Sequence, residues 1–389
     1  MQTGLDIFLH NELSPELGER VGLLSNQAST DRNYSYGKDL LQKKLGERLT
    51  CLFSPQHGYF SEKQDNMIES DHCRDENTGL TVYSLYGEHR KPTREMFDQI
   101  DTLLVDLIDV GTRVYTFMYT MAYCLEAAAE YGKKIVVLDR PNPISGAEIE
   151  GNILKDDVKS FVGLYPLPMR HGLTLGELAL LFNKEFKIEA NLEVIKIKGW
   201  RRDQYFRDID FPWVAPSPNM PTPEAAVNYP GQVIWEGTSI SEGRGTTLPF
   251  ELFGAPYWNH KEIFSFMDKQ SYEIEGAVLR PLVFEPTSGK WAGQSCHGFQ
   301  LHVTDRKIYK PYKAALILLQ AAILCYPDQF SYKEPPYEYE YEKLPLDLIL
   351  GDSDLRENIA AGVSINKLEN DWQAELQEYD TLRSRYFLY

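Results

Sequence analysis

Four apolar runs of this sequence each end in a polar segment rich in Gly or Pro. The segments are Ser54-Pro-Gln-His-Gly58, residues 109–115, Asp139-Arg-Pro-Asn-Pro143 and Pro216-Ser-Pro-Asn-Met-Pro221. The carboxyl ends of parallel strands meet at one edge of a sheet, and ligands bind there. Any one segment could be a helix cap or a turn, but four together favour a ligand site on one rim.

A glycine-rich segment, Trp235-Glu-Gly-Thr-Ser-Ile-Ser-Glu-Gly-Arg-Gly245, holds two carboxylates and an arginine. Glycine lets backbone approach a ligand closely, and arginine holds carboxylates or hydroxyls. The same spacing is equally typical of a tight connector with structural Glu–Arg pairs. His171, in Met169-Arg-His-Gly172, directly precedes a predicted helix. It is suitably placed for acid–base work or hydroxyl binding, although a lone histidine is more often structural.

Several common catalytic motifs are missing. The sequence has no Gly-x-Gly-x-x-Gly, no Walker A motif, no Gly-x-Ser-x-Gly and no His-Glu-x-x-His. His57, His72 and His89 lie close in sequence, but no pair has the spacing of a helical zinc site. The five cysteines include no Cys-x-x-Cys pair. We therefore expect no metal, no cofactor and no disulfide framework.

The elements that must position these residues alternate between strands and helices. Strands are predicted at 21–24, 50–53, 102–108, 135–138 and 192–197, and helices at 38–49, 117–131 and 174–186. Such alternation predicts an α/β fold, with a Rossmann-like, mostly parallel sheet covered by helices on both faces.

The pattern changes after residue 213. A stretch rich in Pro, Gly, Ser and Thr predicts a long ordered loop up to Phe250. Beyond it we expect helices at 261–269, 311–325 and 366–385 and extended runs at 276–284 and 298–303. We therefore predict a catalytic domain over residues 1–250 and a smaller C-terminal α+β domain over 251–389. The acidic, tyrosine-rich residues 334–342 are interpreted as a surface connector.

Composition excludes several classes of function. The 389 residues include 40 Lys and Arg against 57 Asp and Glu, a net charge of −17. Such a chain repels polyanions, so nucleic acid is not an expected partner. No apolar stretch reaches the roughly 18 residues of a membrane span, and the first residues do not read as a signal peptide. We expect a cytoplasmic protein; the sequence does not indicate its oligomeric state.

The motifs of this chain resemble those of the DUF1343 family. They are Gly22-Leu-Leu-Ser-Asn-Gln-Ala-Ser29, Ser54-Pro-Gln-His-Gly58, Val82-Tyr-Ser-Leu-Tyr-Gly87, residues 106–115, Leu138-Asp-Arg-Pro-Asn-Pro143, His171-Gly-Leu-Thr-Leu-Gly-Glu-Leu178, Pro216-Ser-Pro-Asn-Met-Pro221 and residues 236–246. Characterised members of that family, the NamZ proteins, are exo-acting β-N-acetylmuramidases. The resemblance spans nearly the whole chain. It implies a small peptidoglycan-derived glycan as the substrate, from which terminal N-acetylmuramic acid or a related aminosugar is released.

Two positions depart from the family pattern. The family's usual Pro-Glu-His-Gly reads Pro-Gln-His-Gly here, and the amide of Gln56 does not exchange a proton as a carboxyl does. His171-Gly-Leu-Thr174 stands where many members have Tyr-Gly-Met-Thr. Glu69, thirteen residues after Gln56, is therefore the predicted general acid/base, with His57 and His171 assisting it.

The resemblance also suggests a sugar pocket. Its predicted members are Gln56, Asp109, Arg113, Arg140, Arg170, Asn219, Glu236, Glu242 and Arg244. An arginine suits the lactyl carboxylate of a muramyl group because its guanidinium binds carboxylates in a bidentate way. Two hypotheses stay open, a glycoside hydrolase and a sugar-binding member of the family that has lost hydrolysis.

Overall fold

The computed structural model describes residues 1–11, 15–64 and 67–389. Seven strands form the main sheet of the first half of the chain. They are β1 (Val21–Ser25), β2 (Leu49–Ser54), β3 (Cys73–Arg74), β4 (Thr81–Ser84), β5 (Thr102–Asp106), β6 (Lys134–Leu138) and β7 (Asn191–Ile195). Their order across the sheet is β3-β4-β2-β1-β5-β6-β7. Only β3 among them runs antiparallel to its neighbour.

The six parallel strands have the Rossmann order. Numbered by their succession along the chain, they lie as 3-2-1-4-5-6. The order reverses between β1 and β5, which pair from Val21 opposite Thr102 to Ser25 opposite Asp106. Both strands are fully buried, which explains why their sequences read as continuous apolar runs.

Helices cover both faces of this sheet. In the first half they are α1 (Gly4–Leu9), α2 (Gly37–Leu45), α3 (Arg94–Phe97), α4 (Phe117–Tyr131) and α5 (Leu175–Glu185). The helix α4 ends, as predicted, at Gly132, which takes the left-handed conformation that glycine adopts without strain. The helix α5 begins with the predicted capping box between Thr174 and Glu177.

The second half is a mixture of helices and a small sheet. Its elements are the helices α6 (Pro223–Gln232), α7 (His260–Gln270), α8 (Pro311–Cys325), α9 (Pro345–Leu350), α10 (Ser353–Ala360), α11 (Ile365–Asp371) and α12 (Gln373–Ser384), and the strands β8 (Leu252–Ala255), β9 (Ala277–Phe284) and β10 (Cys296–Val303). The three strands form an antiparallel sheet in the order β8-β10-β9. The predicted fold class, a mostly parallel α/β sheet plus a smaller α+β part, is confirmed.

Two sequence expectations were wrong in detail. The stretch predicted as a loop up to Phe250 contains α6, which Thr222 caps and which starts at Pro223, a residue pre-set for the first turn. The single helix predicted near the C-terminus is two helices, α11 and α12, which meet at Trp372.

One apolar core joins the two halves. It extends from residues of the sheet such as Leu24 through α4 and α8 to Tyr379 in α12. A second cluster, which includes Leu5, Leu23 and Leu41, fills the opposite face of the sheet beneath α1 and α2. The domain boundary expected at residue 250 stays a prediction. Among the described residues, no helix combines the length and the apolar character that crossing a bilayer requires.

Candidate active site

A small cleft opens beside the carboxyl edge of the main sheet. Both halves of the chain contribute to its walls. The lining residues are Gln56, His57, Val114, Tyr115, Thr116, Phe117, Val162, Ser217, Asn219, Met220, Tyr229, Arg244, Phe250, Tyr337 and Glu338. Three of the four predicted polar segments therefore meet here. The fourth, residues 139–143, does not line the cleft, because Asp139 instead caps α5 through Thr174 and the backbone of Gly176.

Gln56 lies against a carboxyl group in this cleft. Its Nε2 donates to Glu338 Oε1 at 2.9 Å and to the Tyr86 hydroxyl oxygen at 3.0 Å. The Tyr86 hydroxyl donates to Glu338 Oε2 at 2.6 Å. Thr116 Oγ1 donates to Gln56 Oε1 at 2.6 Å, which fixes the orientation of the amide. The partner of Gln56 is therefore Glu338, a residue that no sequence motif singled out.

The interpretation of residues 334–342 as a surface connector was wrong at its centre. The side chains of Tyr337 and Glu338 are only 3% exposed, whereas Tyr341 is 66% exposed. Glu338 and Tyr339 both have positive φ, and Tyr337 and Glu340 exchange backbone hydrogen bonds in a tight turn. That turn directs the consecutive side chains of Tyr337 and Glu338 inward. Tyrosines between the glutamates, a composition unusual for a solvated connector, were the signal available in the sequence.

The pKa values of two carboxyl groups near the cleft are shifted in opposite directions. Burial raises the pKa of Glu338 to about 7, although hydrogen bonds from Tyr86 and Gln56 act in the other direction, and the charge of Glu236 adds to the rise. Burial also opposes ionisation of Glu236, but Arg244 and the Tyr337 hydroxyl outweigh it and lower the pKa of that carboxyl. A protonated acid next to an ionised carboxylate is the arrangement that acid–base enzymes use.

Arg244 belongs to a network of alternating charges in which the carboxylates are buried and the cations half-buried. Its Nη2 donates to Glu236 Oε1 at 2.7 Å, and its Nε lies 3.3 Å from Glu242 Oε1. Lys290 Nζ pairs with Glu242 Oε2 at 2.8 Å. The third nitrogen, Nη1, makes a longer contact of 3.5 Å to the Gln64 carbonyl oxygen. Arg244 is the one predicted arginine that lines the cleft.

The glycines of this segment serve packing within the protein. A Cβ at Gly237 would meet the backbone of Leu346 at about 2.6 Å, and one at Gly245 would meet the backbone of Ser288. Gly245 also has a φ of +78°, where other residues are strained. Both readings of the segment therefore apply: Arg244 lines the cleft, while its Glu–Arg pairs and glycines make a tight structural connection.

His57 lines the cleft beside Gln56, as the sequence predicted. Its ring Nδ1 lies 2.8 Å from the Lys63 carbonyl oxygen, which accepts the proton of that nitrogen. The residue has a φ of +76°, a strained conformation that is common at functional sites. The same loop therefore positions His57 and Gln56 together.

Glu69, the predicted acid, is exposed and does not line the cleft. The charge of Glu69 does act on Tyr339: burial is the main cause of the raised Tyr339 pKa, and Glu69 raises it further. Asn219 lines the cleft and donates to the Gln64 carbonyl oxygen at 3.2 Å. Asn219 therefore lines the cleft and Glu69 does not, and the roles expected of both stay predictions.

His171 and Asp109 form a buried pair that does not line the cleft. His171 Nε2 lies 3.1 Å from Asp109 Oδ2, and the Leu173 amide donates to His171 Nδ1. The Asp109 carboxylate also accepts the Gly111 amide at 2.6 Å. These bonds hold the loops after β5 and before α5 against each other, so both residues position loops rather than face the cleft.

The other three predicted arginines are also structural. Arg113 donates to the carbonyl oxygens of Asn152, Leu167 and Ile349, Arg140 pairs with Asp106, and Arg170 donates to the Ile144 carbonyl oxygen and the Tyr205 hydroxyl. All three lie outside the cleft lining. The Arg140–Asp106 pair fills the point where the strand order reverses, which is where dinucleotides bind to Rossmann sheets.

The described residues do not converge on a metal site. Among them, no group of three or more His, Cys, Asp and Glu side chains is arranged to hold a metal ion. His57, His72 and His89, which are close in sequence, do not form such a group.

The sheet order and the cleft define a two-part α/β protein of the class that binds small ligands at the carboxyl edge of a Rossmann-type sheet. Comparison with known proteins specifies the family. Residues 21–224 match the model of the N-terminal part of exo-beta-N-acetylmuramidase NamZ, and residues 227–389 match the model of its C-terminal part. The chain therefore belongs to the NamZ family.

Individual relatives agree with this membership. The chain is 42% identical to a peptidoglycan beta-N-acetylmuramidase NamZ of Bacillus subtilis strain 168, over all of this chain and 91% of that protein. Two solved structures of DUF1343 family proteins from Bacteroides fragilis NCTC 9343 align with the whole chain and with 98% of their own lengths. Their TM-scores are 0.86 and 0.74, at 32% and 27% identity.

Proposed function

We propose that this chain is an exo-acting β-N-acetylmuramidase, a glycoside hydrolase that releases terminal N-acetylmuramic acid or a closely related aminosugar from small peptidoglycan-derived glycans. Membership of the NamZ family and 42% identity to the Bacillus enzyme support the reaction type. The proposed site is the cleft at the carboxyl edge of the main sheet.

The observation that carries the proposal is that this cleft holds a cation and a carboxyl group together, Arg244 and Glu338. N-acetylmuramic acid differs from N-acetylglucosamine by a lactyl carboxylate, and a guanidinium is the side chain best suited to bind it. Two nitrogens of Arg244 are committed to Glu236 and Glu242, and Nη1 has the longest contact. We assign Nη1 to the lactyl carboxylate.

The test compares two aryl glycosides. Purified protein should hydrolyse an aryl β-N-acetylmuramide much faster than the aryl β-N-acetylglucosaminide, which lacks the carboxylate. Arg244→Lys keeps a positive charge but loses the planar geometry, so KM for the muramide should rise about tenfold, equivalent to about 1.4 kcal/mol, with a smaller change in kcat.

Arg207→Lys is the matched control. Arg207 also pairs with a carboxylate, Glu224, but lies outside the cleft, so its replacement should leave KM unchanged. Equal wild-type rates on both glycosides would contradict recognition of the lactyl group. Muramide binding by calorimetry, without turnover of any glycoside, would favour the sugar-binding hypothesis instead.

The proposal includes a cytoplasmic place of action on imported fragments. All five cysteines are free, and Cys73 is exposed. Free thiols persist in reducing compartments. Fractionation of cells that produce the full-length protein tests this point, with activity expected in the cytoplasmic fraction.

A further inference from the structure

We propose that Glu338 is the carboxylic acid that protonates the glycosidic oxygen, and that Gln56 and Tyr86 are the residues that position it. This assignment rests on the proposed function, because it names the proton donor of that hydrolysis. It places the acid in the C-terminal half of the chain, far in sequence from both Gln56 and Glu69.

The lining of the cleft leads to this assignment. Among the described residues that line it, Glu338 is the one with a carboxyl group. Gln56 is an amide and does not exchange protons, and Glu69 is exposed away from the lining. Glycosidases need an acid at the bond that they break, so the carboxyl group present in the cleft is the one to which we assign the step.

Hydrogen bonds hold this carboxyl in one orientation. Gln56 Nε2 donates to Oε1 at 2.9 Å, and the Tyr86 hydroxyl donates to Oε2 at 2.6 Å. Tyr86 in turn accepts the Met67 amide at 3.0 Å, and Gln56 accepts the Thr116 hydroxyl. A family member with glutamate at position 56 would have a second acid here, whereas in this chain the amide has only a positioning part.

Burial, together with one neighbouring negative charge, allows Glu338 to carry a proton near neutral pH. Glu236 is the neighbouring carboxylate, held ionised by Arg244 and the Tyr337 hydroxyl. The Arg90 guanidinium, which lies over the Tyr339 ring, acts in the opposite sense, as do the donors Tyr86 and Gln56. Burial outweighs these and raises the pKa of Glu338 to about 7.

The step balances with water as the co-reactant. Glu338 gives its proton to the glycosidic oxygen as the bond from the anomeric carbon to that oxygen breaks, and the bonding electron pair stays on the oxygen. Water supplies the hydroxyl group that the anomeric carbon gains. The remaining proton of that water restores the Glu338 carboxyl group, so one water is consumed for each sugar released.

The experiment compares a leaving group that needs a proton with one that does not. The substrates are the disaccharide N-acetylmuramyl-N-acetylglucosamine and dinitrophenyl β-N-acetylmuramide. In Glu338→Gln, kcat/KM on the disaccharide should fall about 10²–10⁴-fold, the usual contribution of a general acid. On the dinitrophenyl glycoside it should fall less than about tenfold, because that leaving group departs as a stable anion. The ratio of the two rates does not depend on the fraction of folded protein.

A pH profile provides the second readout. Wild-type kcat/KM on the disaccharide should decline above about pH 7, as Glu338 loses its proton. Glu338→Gln should lack this decline. The control is Glu69→Gln, which removes an exposed carboxyl outside the cleft and should leave both rates and the pH profile unchanged.

Each outcome has one meaning. Equal losses on the two substrates in Glu338→Gln would indicate a structural role and overturn the assignment. Full activity of Glu338→Gln, or loss of the disaccharide rate in Glu69→Gln alone, would overturn it as well. No turnover by the wild-type protein on either substrate would overturn the proposed function itself, and is therefore distinguishable from failure of this assignment.

Discussion

The side chain at position 56 determines whether the cleft has a second titratable carboxyl group beside Glu338. With glutamine there, Glu338 is the one carboxyl group among the described residues that line the cleft, and it has a neutral donor at 2.9 Å. An amide and a carboxyl occupy nearly the same volume, so exchanging them changes proton chemistry with little change in packing. If Glu338 is the acid, as we propose, the residue at position 56 should set the pH above which activity declines.

Gln56→Glu should move the alkaline limb of activity to higher pH. Two carboxyl groups 2.9 Å apart do not both ionise readily, so the pair retains one shared proton to a higher pH than Glu338 does alone. We expect the apparent pKa of the alkaline limb to rise by about one unit or more, measured from kcat/KM on the disaccharide.

Thr116→Val is the control for that exchange. It removes the hydrogen bond to Gln56 Oε1 without adding a titratable group. It should lower activity across the pH range while leaving the position of the limb unchanged. A limb at the same pH in Gln56→Glu and in the wild type would contradict a shared proton.

At the scale of elements, α8 depends on a cap from a distant part of the chain. Its N-cap residue, Lys310, makes no side-chain capping bond. Glu150 supplies the cap, accepting the backbone amides of Tyr312 at 3.3 Å and Lys313 at 2.8 Å. The helix is therefore joined to the first half of the chain by a buried carboxyl group.

The burial of this carboxyl group makes the stability of the protein depend on pH. Burial raises the pKa of Glu150 to about 7, against the lowering effect of the Lys313 amide and Arg170. Because the pKa is higher in the folded than in the unfolded protein, protonation of Glu150 favours the folded state. This contribution to the free energy of unfolding is full below about pH 4.5 and is lost as the pH rises to about 7. Over that pH range, the free energy of unfolding of the wild type should fall by on the order of 2–4 kcal/mol relative to that of Glu150→Gln, as measured by urea unfolding.

Glu88→Gln is the reference for this measurement. The Glu88 side chain is 87% exposed, so its replacement should leave the pH dependence of unfolding as in the wild type. A constant difference between the wild type and Glu150→Gln from pH 4.5 to 7.5 would contradict the raised pKa.

At the scale of the whole molecule, the C-terminal helix and tail secure loops of the first half. Arg383, only 4% exposed, donates to the carbonyl oxygens of Gly146, Ala147 and Gly172. The Tyr389 hydroxyl donates to Asp139 Oδ2 at 2.7 Å. Together with the shared apolar core, these contacts should make the two halves unfold as one unit.

Arg383→Met tests this coupling. It substitutes an unbranched apolar side chain but removes the donor to three carbonyl groups. The two buried ones, of Gly146 and Gly172, still receive a bond from Arg202. We expect a loss of about 2–3 kcal/mol in unfolding free energy, with tryptophan fluorescence and circular dichroism still changing in one transition.

The control is Arg385→Met, an exposed position in the same tail. Its replacement should change stability by less than about 0.5 kcal/mol. Separate fluorescence and circular dichroism transitions, in the wild type or in Arg383→Met, would contradict cooperative unfolding of the two halves.

The sequence by itself determined the parallel sheet, most of its helices and three of the loops that meet at the cleft. These follow from local causes: continuous apolar runs such as 102–106, the capping box at Thr174, and the polar segments after buried strands. The same local signals selected Gln56, His57, Asn219 and Arg244, all of which line the cleft.

Only the tertiary structure decided which charged groups face the cleft. Arg113, Arg140 and Arg170 carry the same signal as Arg244, yet packing buries them against backbone carbonyls or Asp106. Glu338 is 282 residues from its partner Gln56. Contacts at such distance depend on how two halves pack, which no local pattern encodes, and so the carboxyl group of the cleft emerged only from the folded chain.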